Sequence, residues 1–209
     1  MPDVAVLGAG SWGTALAMQL LRSGTGAVLW GRNPEHVAAM QASGCNQRFL
    51  PDNPFPPGLL LQSSLEQAVR DADEVLVSVP SHAFVGIIAQ IQTWLKPGQG
   101  VAWACKGLEP GSGHFLHQAA QGILGDERPL AVVTGPSFAT EVAANLPTAV
   151  TVAGTEPAFC GQIARLLHGG NFRAYTSDDI VGAELGGAVK NVLAVATGIS
   201  DGMGLGNNA

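Results

Sequence analysis

Val4-Ala5-Val6-Leu7-Gly8-Ala9-Gly10-Ser11-Trp12-Gly13-Thr14 decides the fold of this 209-residue chain. Val4–Leu7 is a short aliphatic run that leads directly into G-x-G-x-x-G at Gly8, Gly10 and Gly13. Thr14–Leu21 are small or apolar helix formers, Ser23-Gly24 supplies a C-cap, and Ala27–Trp30 reads as a second buried strand. A strand, a glycine turn, a helix and a strand within about thirty residues make a parallel crossover. In that setting Gly8 permits the tight turn, Gly10 lets backbone approach a pyrophosphate, and Gly13 lets helix and strand pack closely. The helix N-terminus turns unpaired N–H groups toward phosphate charge. A tight turn in some other α/β protein is the competing reading. The flanking strand and helix decide for a dinucleotide.

The alternation continues outward from this unit. Asn33-Pro34 starts a helix with Pro at its first position, Leu59–Leu61 is a short strand, Ser64–Arg70 a helix, and Glu74–Val79 a strand. His82–Leu95 carries Phe84, Ile87, Ile88, Ile91, Trp94 and Leu95 at helical spacing. Val101–Ala104 and Leu130–Thr134 are further strands, and the Pro-rich stretch Leu50–Gly58 reads as a loop. Continuously apolar strands are the mark of a parallel sheet buried on both faces. The expected fold is α/β, a Rossmann-type, doubly wound, largely parallel sheet. Near Tyr175 the character changes, and Ser177-Asp178-Asp179 makes a helix start. The helix to about Ser200 contains Gly182, Gly186, Gly187 and Gly198, each costing up to about 1 kcal/mol. Close backbone packing is expected to offset them. The reading divides the chain into a dinucleotide-binding domain, 1–176, and the start of a second domain, 177–209.

Composition excludes other classes. A hydrophobic share of 46% with net charge −6 rules out a disordered chain. Ten basic residues against sixteen acidic ones leave no electrostatic footprint for nucleic acid. Mean hydropathy is +0.24, yet Ala83–Ile91 and Leu185–Ile199 are too short or carry Lys190 and Asn191, so no membrane insertion is expected. Met1-Pro2-Asp3 does not open a signal peptide. Cys45, Cys105 and Cys160 form no CxxC, which suits a reducing cytoplasm.

Only 12% of the residues are charged and three are lysines: Lys96, Lys106 and Lys190. Trp30-Gly31-Arg32-Asn33 ends the second strand without an acid, so Arg32 could meet a 2′-phosphate bidentately, favouring NADPH with NADH also open. A solvated surface arginine is the plainer reading. Ligands bind beyond the carboxyl ends of such strands, where Lys106 follows Val101–Ala104 and Ser137 follows Gly135-Pro136. Lys106 could contact a phosphate or carboxylate; Ser137 could hold an anion or serve as a plain N-cap. Lys190 lies in a small-residue helix with no carboxylate within one turn. Desolvation there would suit it to exchange protons with an alcohol or ketone, and a lysine snorkelling to the surface is the alternative. His82 could line the cleft, and His114 and His117 lack the further ligands a metal site needs.

Five stretches resemble bacterial NAD(P)-dependent glycerol-3-phosphate dehydrogenase: Gly8–Ala17, Val79–Ala83, Cys105–Glu109, Gly135–Val142 and Glu184–Ala209. The resemblance implies reversible hydride transfer between NADPH or NADH and dihydroxyacetone phosphate, giving glycerol 3-phosphate for phospholipid synthesis. It implies cofactor contacts at Ser11, Trp12, Arg32, Lys106 and Ala139. Substrate contacts are implied at Lys106, Gly135, Ser137 and Lys190, with Lys190 transferring the proton. The family continues into an all-α C-terminal domain that adds an arginine to the substrate phosphate site, and a homodimer of the full-length protein is compatible with it. Without that domain, past Asn207-Asn208-Ala209, the chain is expected to bind dinucleotide but turn over poorly. The β-hydroxyacid and 6-phosphogluconate dehydrogenases, which also place a helix lysine after such a domain, are the nearest rivals. A non-catalytic dinucleotide-binding module is the rival from another class.

Overall fold

All four side chains of β1 (Val4–Leu7) are buried. Val4 and Val6 enter one core and Ala5 and Leu7 the other, as a strand covered on both faces requires. The same split recurs in β6 (Glu74–Val77), β7 (Val101–Trp103) and β8 (Leu130–Thr134). This computed structural model describes residues 1–205. Residues 206–209, with the Asn207-Asn208-Ala209 stretch, and the side chain of Asn191 lie outside the described residues.

From β1 the chain runs through α1 (Ser11–Arg22), β2 (Ala27–Trp30) and α2 (Pro34–Ser43) into a small ribbon, β3 (Cys45–Asn46) with β4 (Leu50–Pro54). Next come β5 (Leu60–Gln62), α3 (Leu65–Asp71), β6, α4 (Ser81–Ile91), β7, α5 (Leu116–Leu124) and β8. The remainder is α6 (Ala139–Ala143), β9 (Thr148–Gly154), α7 (Pro157–Leu167), β10 (Phe172–Ser177) and α8 (Ile180–Gly202). The main sheet has the order β10-β9-β8-β7-β6-β1-β2-β5. Its pairs are parallel except β8–β9, which is antiparallel. Strand order reverses between β1 and β6, and the crevice at their carboxyl ends is where this architecture binds ligands.

Local chemistry sets the helix starts. Asn33 accepts from the backbone N–H groups of Glu35 and His36, and Pro34 follows at the first helical position. Ser64 accepts from Gln67 N–H, and Asp179 from Gly182 N–H at 2.7 Å. Such caps contribute about 1 kcal/mol each. On one face of the sheet Trp103 and Phe84 are both fully buried, in a T-shaped pair with centroids 5.5 Å apart.

Three expectations need correction. Leu50–Gly58 is not all loop, because Leu50–Pro54 pairs antiparallel with Cys45–Asn46; Pro is tolerated in so short a ribbon, which has edges only. The glycines of α8 are not uniformly packed. A Cβ at Gly187 would lie 3.0 Å from Thr134 Oγ1 and one at Gly182 would strike the Asp179 cap, whereas Gly186 and Gly198 have open space. Finally, α8 has 23 residues and by length and composition alone could cross a membrane, although the apolar stretch read from sequence was shorter. In its early turns Glu184 and Gly187 are buried, Gly187 against Thr134 of β8.

Candidate active site

The glycine turn lies between the ends of β1 and β6. Gly8 has φ of +127°, and a Cβ there would sit 2.2 Å from the Ser78 carbonyl oxygen. A Cβ at Gly13 would be 1.9 Å from the Gly8 carbonyl oxygen, so α1 can approach the strand only as it does. Gly10 is different: its Cβ would meet nothing within 4 Å. Gly10 is the N-cap of α1 and offers no side chain, which leaves the first N–H groups of that helix free to meet a ligand. The turn is braced from behind by Asn46, which is wholly buried. Its Nδ2 donates to the Ala9 carbonyl at 3.1 Å and to Thr14 Oγ1 at 2.8 Å.

In front of the turn lies a cleft of about 360 Å³. Gly10, Ser11, Trp12 and Gly13 form one wall, while Lys106, Ser137 and Ala139 line the other side. Arg22, at the end of α1, donates to the Val142 carbonyl at 2.7 Å and so ties α6, which begins at Ala139, to the turn-bearing helix. Among the described residues, two buried polar atoms have no hydrogen-bond partner, Trp12 Nε1 and Ser137 Oγ. Unpaired buried donors are costly, and a polar ligand in the cleft would satisfy them. The open space at Gly10, the free helix N-terminus and these orphaned groups fit a dinucleotide.

Lys106 stands at the junction with a second cavity of about 400 Å³ between the end of β8 and α8, which Gly135 and Lys190 line. Lys106 Nζ donates to the Gly135 carbonyl at 3.3 Å and lies 5.9 Å from the Trp12 ring centroid. Lys190 Nζ lies 5.0 Å from the centroid of Phe138, which lines the first cleft. Burial first, and then the charge of Lys190, hold the Lys106 ammonium below its ordinary range. Burial pushes the Cys105 thiol up to about 12, so this cleft-lining cysteine stays neutral and is no nucleophile. A larger cavity, about 570 Å³, lies at the α2–α3–β5 edge, where Asp71 is the charged residue in its lining.

Residues singled out from sequence therefore converge, with qualifications. Lys190 is half-buried, not enclosed by its helix, because Val192, Leu193 and Val195 beyond it face solvent. Ser137 is no N-cap; that position belongs to Phe138. Arg32 is exposed just past β2 and lines neither cavity. His82 is likewise exposed, and Ser81 takes the cleft wall. Sequence reasoning missed Asn46 and the buried pair Glu184–His117. Glu184, an acid inside an apolar helix six residues before Lys190, is the signal the sequence carries for that pair.

Residues 3–160 match the family described as NAD-dependent glycerol-3-phosphate dehydrogenase N-terminus, and residues 179–209 match the corresponding C-terminus. The chain belongs to the NAD-dependent glycerol-3-phosphate dehydrogenase family. It is 52% identical over 207 residues to glycerol-3-phosphate dehydrogenase [NAD(P)+] of Aeromonas hydrophila, covering 99% of this chain and 62% of that protein. The like-named protein of Xanthomonas euvesicatoria is 58% identical over 206 residues, covering 99% and 60%. A crystal structure of glycerol-3-phosphate dehydrogenase from Coxiella burnetii superposes with TM-score 0.92 at 47% identity, over 99% of this chain and 63% of that one. The chain thus spans about 60% of the length of the curated relatives it matches.

Proposed function

We propose that the chain binds NADPH or NADH and forms the dinucleotide-binding part of an enzyme interconverting dihydroxyacetone phosphate and sn-glycerol 3-phosphate for glycerophospholipid synthesis. The observation that carries this reading is the placement of Lys106, bonded to Gly135, and Lys190, over Phe138, at adjoining cavities beside a glycine turn with two orphaned polar atoms. Bound nicotinamide would supply or accept the hydride. The free N–H groups at the start of α1 hold the pyrophosphate, and Gly10 leaves room for it. Ser11, Trp12 and Ala139 border the cofactor, and Arg32 favours a 2′-phosphate. Lys106 exchanges the Gly135 carbonyl for an anionic oxygen, and Gly135 and Ser137 border the substrate. The Lys190 ammonium gives a proton to the oxygen of the ketone as it is reduced, and takes it back in the reverse direction.

This reading assigns the protein to the cytoplasm, supported by three free, buried cysteines, with no membrane insertion, and is compatible with a homodimer of a full-length protein. For the 209 residues alone we expect dinucleotide binding with little turnover. Calorimetric titration with NADPH and NADH, followed by the absorbance of reduced nicotinamide on adding dihydroxyacetone phosphate, tests both parts. Absence of binding by either dinucleotide defeats the reading, and near-normal turnover defeats the expected impairment.

A further inference from the structure

Glu184 has no place in the chemistry above, yet it is the most enclosed acid of α8, 5% exposed in a helix that otherwise largely faces solvent. Its Oε1 accepts from Trp103 Nε1 at 3.2 Å and from the backbone N–H of His117 at 3.1 Å. Its Oε2 lies 2.5 Å from Nδ1 of the same histidine. A carboxylate taken out of water is costly unless its lone pairs are used, and here three donors on two other elements use them. Trp103 closes β7, and His117 stands in the first turn of α5, where the helix macrodipole also favours negative charge.

The placement of these residues gives the network a purpose. Three residues beyond Trp103 the chain carries Lys106, and six residues beyond Glu184 α8 carries Lys190. Between them Gly187 lies against the end of β8 and the Lys106 stem: its Cβ would be 3.0 Å from Thr134 Oγ1 and 4.0 Å from Lys106 Cγ. The two ammonium groups repel, and beyond Lys190 the side chains of Val192, Leu193, Val195 and Ile199 in α8 are exposed. We propose that Glu184, gripped by His117 and Trp103, is a positioning clasp that holds Lys190 at its working separation from Lys106 against their mutual repulsion. The proposal rests on the functional reading above for what the two lysines do, but the clasp itself can be tested without dinucleotide or substrate.

The test follows amine labelling of the 209-residue protein against pH, with Lys96, Lys106 and Lys190 read on separate peptides by mass spectrometry. Lys190→Met is expected to move the Lys106 titration upward, since a neighbouring positive charge is gone. Glu184→Ala is expected to move it in the same direction, and the double variant to move it no further than Lys190→Met alone. A Glu184→Ala protein that is folded by circular dichroism and leaves the Lys106 titration in place overturns the clasp; so do additive shifts. Should Glu184→Ala not fold, Glu184→Gln keeps an acceptor for Trp103 and removes the charge. An upward Lys106 shift in that variant supports the clasp and an unchanged one overturns it. A purely structural role would lower thermal stability without moving Lys106. Failure of wild-type protein to bind NADPH would strike the functional reading and leave these labelling results standing.

Discussion

Gly10→Ala separates binding from folding more cleanly than any other change at the glycine turn. Gly10 has φ −80° and ψ −177°, an extended conformation open to any residue, and its Cβ would meet no atom within 4 Å. The folded protein therefore has room for the methyl group. Loss of an N-cap preference, roughly 0.5–1 kcal/mol, is offset by a gain of about 0.4–1 kcal/mol from a less flexible unfolded chain. Melting temperature should stay within about 3 °C of wild type. The methyl would project where a pyrophosphate must approach, and displacing one charge-assisted hydrogen bond costs about 1.5–3 kcal/mol. At about 1.4 kcal/mol per tenfold, the Kd for NADPH should rise about 10- to 150-fold by calorimetry. Gly13→Ala supplies the contrast, because its Cβ would sit 1.9 Å from a backbone oxygen, so it should lose folding stability before binding can be measured. A folded Gly10→Ala protein with wild-type NADPH affinity would refute the placement of the pyrophosphate; a strongly destabilised one would refute the packing argument.

Lys106 supplies the pH test. Its folded ammonium titrates below the ordinary lysine value, and a bound anion would raise it again. Affinity for NADPH should thus be full below the lowered value and fall as alkaline pH passes through it, while Lys106→Met should flatten that profile. The same depression makes the folded protein gain stability as pH rises between the lowered value and the unfolded one, which thermal melts in that window would register. Arg32→Ala should weaken NADPH by roughly 10- to 100-fold and leave NADH nearly unchanged, as expected for loss of a charge-assisted phosphate contact; equal effects on both dinucleotides would remove Arg32 from the 2′-phosphate. In a chimera extended with the remaining C-terminal portion of the Aeromonas hydrophila relative, Lys190→Ala should lower kcat by at least about a hundred-fold while NADPH affinity holds. Unchanged hydride transfer would exclude proton transfer by Lys190.

The first half of the fold was legible because its determinants are local. Gly8, Gly10 and Gly13 define their own turn, Asn33-Pro34 its own helix start, and four-residue apolar strands announce burial on both faces. Thr148–Gly154 and Phe172–Ser177 carried no such signal. Both mix buried with exposed positions, and the antiparallel pairing of β8 with β9 is settled by tertiary contact, including a Cβ-free Gly154 against the Leu130 carbonyl. At the site, Lys106 was legible as a lone cation behind a buried strand. Glu184 was not, because its partners come from residues 67 and 81 positions away. Enclosure of Lys190 was overestimated for a related reason: an apolar helix face reads as core whether or not the described residues cover it.

Asn46 has a consequence for how portable the glycine turn is. The β1–α1–β2 unit looks self-contained in sequence, yet the carbonyl of Ala9 is held by a side chain from a ribbon 37 residues away. A peptide comprising that unit alone would keep the glycines and lose the brace, so its turn would sample shapes that the whole protein forbids. Grafting the first thirty or so residues into another α/β scaffold would then transfer the recognition motif without its rigidity. A graft that also carried the Cys45–Pro54 ribbon would transfer both.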